Sequence, residues 1–70
     1  MFEKLMRSYL ARYGQKLRAE RERTGLTQLD VAKDIGITQA IISHIECGKY
    51  LPSEHLESKL LREYGIEKGN

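Results

Sequence analysis

The chain has 70 residues, 40% of them hydrophobic and 31% charged, with a net charge of +2 at neutral pH. That length holds one domain with a modest core, stable by on the order of a few kcal/mol. A single cysteine, Cys47, excludes an internal disulfide and the four-cysteine and Cys/His zinc patterns, which fits a reducing cytosol, and no apolar run approaches the roughly 20 residues of a membrane span.

The first segment, "MFEKLMRSYLARY", is too interrupted by charge to be a signal peptide. Phe2, Leu5, Met6, Tyr9, Leu10 and Tyr13 recur at i, i+3, i+4, i+7, i+8 and i+11, which predicts a strongly amphipathic helix. Two readings of this stripe stay open: it completes the core, or it is a dimer interface. Gly14 either ends this helix or only weakens one continuous helix through Arg23, since glycine inside a helix costs about 1 kcal/mol against alanine. From Lys4 to Arg23 seven basic residues face two acids, whereas from Thr24 onward five face seven. A basic segment suits a polyanion, or is simply a solvated helix face.

Beyond it, glycines punctuate the chain. Gly25, Gly36, Gly48 and Gly65 each follow a helical pattern, where a left-handed cap residue belongs. Thr27, Thr38 and Ser53 follow three of them as helix starts, and Thr27 with Asp30 has the spacing of a capping box. Pro52 discourages helix through Leu51. Between these marks, Leu29, Ala32 and Ile35 share a face with Val31 beside it. Ile41, Ile42 and Ile45 form the next apolar face, and Leu56, Leu60, Leu61 and Tyr64 the last. Strand signals are weak, so the expected class is all-α with short connections.

The second and third predicted helices are joined by Gly36-Ile37-Thr38, a short glycine-containing link of the helix-turn-helix type, whose second helix enters the DNA major groove. The third helix, about 38–47, has an unusual outer face: Gln39, Ala40, Ser43 and His44 rather than lysine and glutamate. A glutamine can bond adenine through both amide atoms, serine suits several bases, and alanine can touch a thymine methyl. Gly25, Thr27 and Gln28 set a helix N-terminus beside them, where free N–H groups suit a phosphate.

The stretch "GQKLRAERERTGLTQLDVAKDIGITQAIISHIECGKYLPS", residues 14–53, resembles the Cro/C1-type (XRE-type) helix-turn-helix. Its ordered matches are Leu17, Arg21, Gly25-Leu26-Thr27-Gln28, Ala32, Gly36-Ile37-Thr38, Ile42, Ile45-Glu46, Gly48-Lys49 and Pro52. The resemblance implies a lambda-repressor-like bundle of four to five short helices, with an extended N-terminal helix. It implies base reading by Gln39, Ala40, Ser43 and His44, and phosphate contacts from Gln28, Lys49, Thr27 and Thr38. It casts Arg21 and Glu46 as a structural ion pair, and Ala32 and Gly36 as small residues where helices cross.

The expected organisation is an N-terminal helical extension over 1–13, the helix-turn-helix domain over 14–66 and a tail over 67–70. Family members often carry a fifth helix that helps dimerisation. Here only "IEKGN" follows Gly65, so residues 2–13 are expected to take over some of that packing or pairing, with Phe2, Met6, Tyr9 and Tyr13 as the candidate dimer interface. Cys47 is expected to be an incidental, partly exposed thiol, His55 a surface residue, and Tyr50 either to pack over Pro52 or to touch the DNA backbone. The enzyme reading is weak, because the two histidines lack any metal-ligand or nucleophile motif, and no cofactor is implied. The expected partners are double-stranded DNA and a second copy of the chain, in the cytoplasm and on the nucleoid. The rivals are a protein-binding adaptor or antitoxin built on the same fold, and a membrane-surface helix over 2–23, which its tyrosines and charges argue against.

Overall fold

The computed structural model describes residues 1–66 and places four helices along them: α1 (Phe2–Arg23), α2 (Gln28–Ile35), α3 (Gln39–Glu46) and α4 (Glu54–Glu63). The predicted tail over 67–70 lies outside the described residues. No strand occurs among the described residues. α1 lies across α3, α2 packs on α3, and α4 lies against α2.

α1 runs unbroken through Gly14 for 22 residues, so the predicted extension and the domain share one helix. Gly14 is buried where α1 crosses the end of α3. A Cβ there would lie 2.5 Å from the Glu46 carbonyl oxygen and would also overlap that of Ile45. Glycine therefore sits inside this helix to let two backbones meet. Gly48 makes the reciprocal approach just past α3. With φ of +78° it turns the chain, and an added Cβ would lie 3.0 Å from the Ala11 Cα.

The predicted helix boundaries arise from local hydrogen bonds. Thr27 and Asp30 form the capping box: the Thr27 hydroxyl accepts from the Asp30 N–H at 3.0 Å, and the Asp30 carboxylate accepts from the Thr27 N–H at 2.9 Å. Those bonds hold the Asp30 carboxyl below its ordinary value of 3.8. Ser53 Oγ accepts from the Leu56 N–H at 3.1 Å and starts α4. Thr38 precedes α3 with extended backbone, but its side chain makes no capping bond.

The core is Leu17, Val31, Ala32, Ile42, Ile45, Leu60 and Tyr64, with Ile35, Ile41, Leu56 and Leu61 packed against it. Leu29 departs from the sequence reading: it is 46% exposed. At 3.6 residues per turn it lies about 110° around α2 from the centre of the Val31–Ala32–Ile35 arc. Tyr64 is buried, which pushes its phenol up to about 12. At the α2–α4 seam the Glu63 carboxyl faces Asp34; the hydrogen bond the two can share only when one is protonated, with burial, holds it above 4.5.

The N-terminal stripe divides. Tyr13 is half-buried and donates its phenolic O–H to Glu57 at 2.5 Å. Burial, then that bond, raises the phenol well above its ordinary range. Leu10 is also half-buried. Phe2, Leu5, Met6 and Tyr9 are exposed, at 75%, 64%, 42% and 54%. Within one chain they complete no core; they cover one side of a helical arm.

Candidate nucleic-acid interface

The turn between α2 and α3 is built by Gly36. Its left-handed backbone lets the N–H groups of both Gly36 and Ile37 donate to the Ala32 carbonyl, each at 2.9 Å. Thr38 then runs extended and α3 starts at Gln39. Ile42, Ile45 and Glu46 are the residues α3 buries, so the helix is held from behind. Gln39 and Ala40 are exposed on the opposite side, and Ser43 and His44 are half-exposed beside them. Apart from His44 this outer face carries no ionisable group, and its amide, methyl and hydroxyl groups are small or hydrogen-bonding.

Behind that face, four side chains from three helices form one hydrogen-bonded chain. Arg21 Nε donates to Glu46 Oε2 at 2.7 Å, and its terminal nitrogen donates to Oε1 at 3.0 Å. The other Arg21 nitrogen donates to the Leu26 carbonyl at 2.8 Å. Both residues are buried, and the bond to Glu46 raises the Arg21 guanidinium above its ordinary value. Glu46 Oε1 also accepts from Gln28 Nε2 at 3.0 Å, and Gln28 Oε1 accepts from Gln39 Nε2 at 3.4 Å.

The order of atoms in this chain has a physical cause. An ionised carboxylate can only accept, so Gln28 must turn its NH2 group toward Glu46 and its carbonyl outward. That carbonyl takes one N–H of Gln39. The second N–H and the carbonyl oxygen of Gln39 remain as a donor–acceptor pair on the outer face. Such a pair matches the N7 acceptor and N6 donor of adenine.

The rim of the face is set by the turn after α3. The Lys49 N–H donates to the His44 carbonyl at 2.9 Å, and the Lys49 side chain is exposed there. Tyr50, 41% exposed in the turn after α3, has a ring partner that the sequence did not suggest. Its ring meets His44 edge-on, with centroids 5.9 Å apart. Thr27 and Gln28 lie at the start of α2, next to Gln39 through the Gln28 bond. Cys47 is exposed just beyond α3. The Tyr50 contact and the Gln28 role have no sequence signal, because each depends on where two segments meet.

The basic N-terminal third is less available than its count suggests. Arg21 is spent in the buried pair, Arg18 pairs with Glu22 at 3.3 Å, and Arg23 pairs with Glu20 at 2.8 Å while bonding the Tyr64 carbonyl. Among the described residues no cluster of His, Cys, Asp or Glu could hold a metal ion, and no helix is long and apolar enough to cross a membrane.

Two short helices set around a glycine turn, with a polar, nearly uncharged outer face on the second, define a helix-turn-helix protein. The chain belongs to the helix-turn-helix domain family, which matches residues 12–69, and within it to the XRE-like DNA-binding proteins. It is similar to an HTH-type transcriptional regulator of Methanocaldococcus jannaschii, 40% identical over 52 residues, covering 74% of this chain and 79% of that one. An HTH-type transcriptional regulator of Methanothermobacter thermautotrophicus is 37% identical over 51 residues, 73% of this chain and 74% of its own. The endothelial differentiation-related factor 1 homolog of Danio rerio is 35% identical over 54 residues, 77% of this chain. The alignment spans only 37% of that zebrafish protein.

Proposed function

We propose that the chain is a sequence-specific, double-stranded DNA-binding transcriptional regulator. It inserts α3 into the major groove and works as a homodimer on a palindromic operator in the cytoplasm. The observation that carries this reading is the outer face of α3, where Gln39 offers an oriented donor and acceptor beside Ala40, Ser43 and His44. Thr27, Gln28, Thr38 and Lys49 surround that face and contact phosphates. The names of the two archaeal relatives support the regulatory role. The exposed apolar stripe of Phe2, Met6 and Tyr9, continued by half-buried Tyr13, supports pairing.

The test is selection of bound sequences from a random duplex library at moderate salt. The expected product is a two-fold symmetric site with half-sites about one helical turn apart. A single unpaired half-site would overturn the dimer and keep the reader. Bulk, salt-sensitive binding with no enrichment would overturn specific reading and favour an adaptor or antitoxin using the same fold.

A further inference from the structure

Not every cation of α1 is engaged within the chain. Among the described residues Arg18, Arg21 and Arg23 have acidic partners, whereas Lys4, Arg7, Arg12 and Lys16 enter no ion pair. All four are exposed. Two of them share a side of the helix with a contact that fixes their direction. An added Cβ at Gly14 would meet the carbonyl oxygens of Ile45 and Glu46, and one at Gly48 would meet the Ala11 Cα. The line through Ala11 and Gly14 therefore faces the end of α3 and the turn that follows it. Taking about 100° per residue, Arg7 lies about 20° around α1 from Gly14, and Lys4 about 20° from Ala11. Lys4 and Arg7 thus continue the packed line outward along the arm.

Position follows from the same contact. Arg7 stands about 6 Å beyond Ala11 along α1, and Lys49 directly follows Gly48, exposed at the rim of the α3 face. The Arg7 and Lys49 backbones are then on the order of 10 Å apart. A DNA strand carries one charge per about 3.4 Å of axis, so that gap spans a few phosphates of one strand. Phe2, Leu5 and Tyr9 lie about 140–160° around α1 from Arg7, on the far side of the arm. The arm's one acid, Glu3, sits in the first turn, where the helix dipole suits it, and pairs with neither cation.

We infer that Lys4 and Arg7 extend the phosphate contact of Lys49: while α3 reads the groove, the helical arm lies along the flanking backbone of double-stranded DNA. This deepens the DNA-binding reading above and rests on it. The planar fork of Arg7 can take two phosphate oxygens at once, and Lys4 supplies a point charge. Neither reaches a base edge, so the site adds affinity and footprint without adding preference.

Arg12 and Lys16 supply the control, since they lie about 140° and 180° around α1 from Arg7. Two double variants, Lys4→Ala with Arg7→Ala and Arg12→Ala with Lys16→Ala, remove the same charge from opposite sides of one helix. Binding of a selected and a scrambled duplex is titrated at several salt concentrations, with circular dichroism to verify the helix content. The Lys4/Arg7 variant should lower the slope of log affinity against log salt by about 2 and weaken both duplexes about tenfold or more at 0.1 M salt. The Arg12/Lys16 variant should keep the wild-type slope, and so should Lys4→Arg with Arg7→Lys. Equal losses from the two alanine pairs would reduce the effect to net charge and overturn the site. A Lys4/Arg7 pair that leaves the slope unchanged, while Lys49→Ala lowers it, overturns the arm contact and keeps the DNA-binding reading. A wild-type chain that binds neither duplex overturns both.

Discussion

A buried carboxylate decides how Gln28 is turned, and Gln28 in turn orients Gln39. Gln39→Ala is expected to cost about 1–3 kcal/mol at one base position and relax preference there. Gln28→Leu keeps the Arg21–Glu46 pair and so keeps the fold, yet should relax preference at that same position. In the Gln39→Ala background it should change base preference no further. Selected-sequence profiles of the two single variants and the double variant check this. Unequal positions for the two single variants would break the link between them. A second residue-scale expectation concerns Gly14. Alanine is the better helix former by about 1 kcal/mol, but its Cβ would meet the α3 backbone. Gly14→Ala should therefore destabilise by about 1–3 kcal/mol, the usual cost of overpacking, and urea unfolding reads it directly.

Helix limits were legible because their causes are local. Thr27, Asp30 and Ser53 act on N–H groups three residues away, and a left-handed glycine follows each helix whatever packs against it. What was not legible depends on distant neighbours. Leu29 shares spacing with Ala32 and Ile35, but only the position of α3 and α4 decides which side of α2 is inward. The continuity of α1 through Gly14 depends on α3 passing beneath it. Likewise the turn and the polar face of α3 can be read from residues 36–44, whereas the hydrogen-bonded chain behind them links positions 21, 28, 39 and 46 on three helices. The capping box also carries a pH dependence. Asp30 has a lowered folded value, so its contribution is complete above its ordinary 3.8 and is lost as pH falls through the folded value. Thermal melts of wild type and Asp30→Asn from about pH 6 down to about pH 2 should converge in that acid window. Parallel curves would show that the carboxylate contributes nothing to α2.

For the molecule as a whole, the proposed function divides the work: charge would set affinity, and side chains on α3 would set preference. Three of the N-terminal arginines have acidic partners within the chain, so on this reading exposed cations such as Lys49 would carry more of the attraction to phosphate. Lys49→Ala should weaken binding to all sequences alike and lower the slope of log affinity against log salt by about 1. Titrations of a selected and a scrambled duplex at several salt concentrations would show it, and a loss confined to the selected duplex would reassign Lys49 to base reading.

The glycine contact between α1 and the end of α3 also has a mechanical meaning. With no side chain between the two backbones, arm and reading helix are welded into one lever. In the homodimer proposed above, two such levers would act as a rigid gauge, and the separation of the reading helices would become a fixed length. DNA advances by about 34° per base pair, since a turn holds 10–10.5 of them. One inserted base pair between half-sites would thus swing one groove away from a reader that has no hinge to follow it.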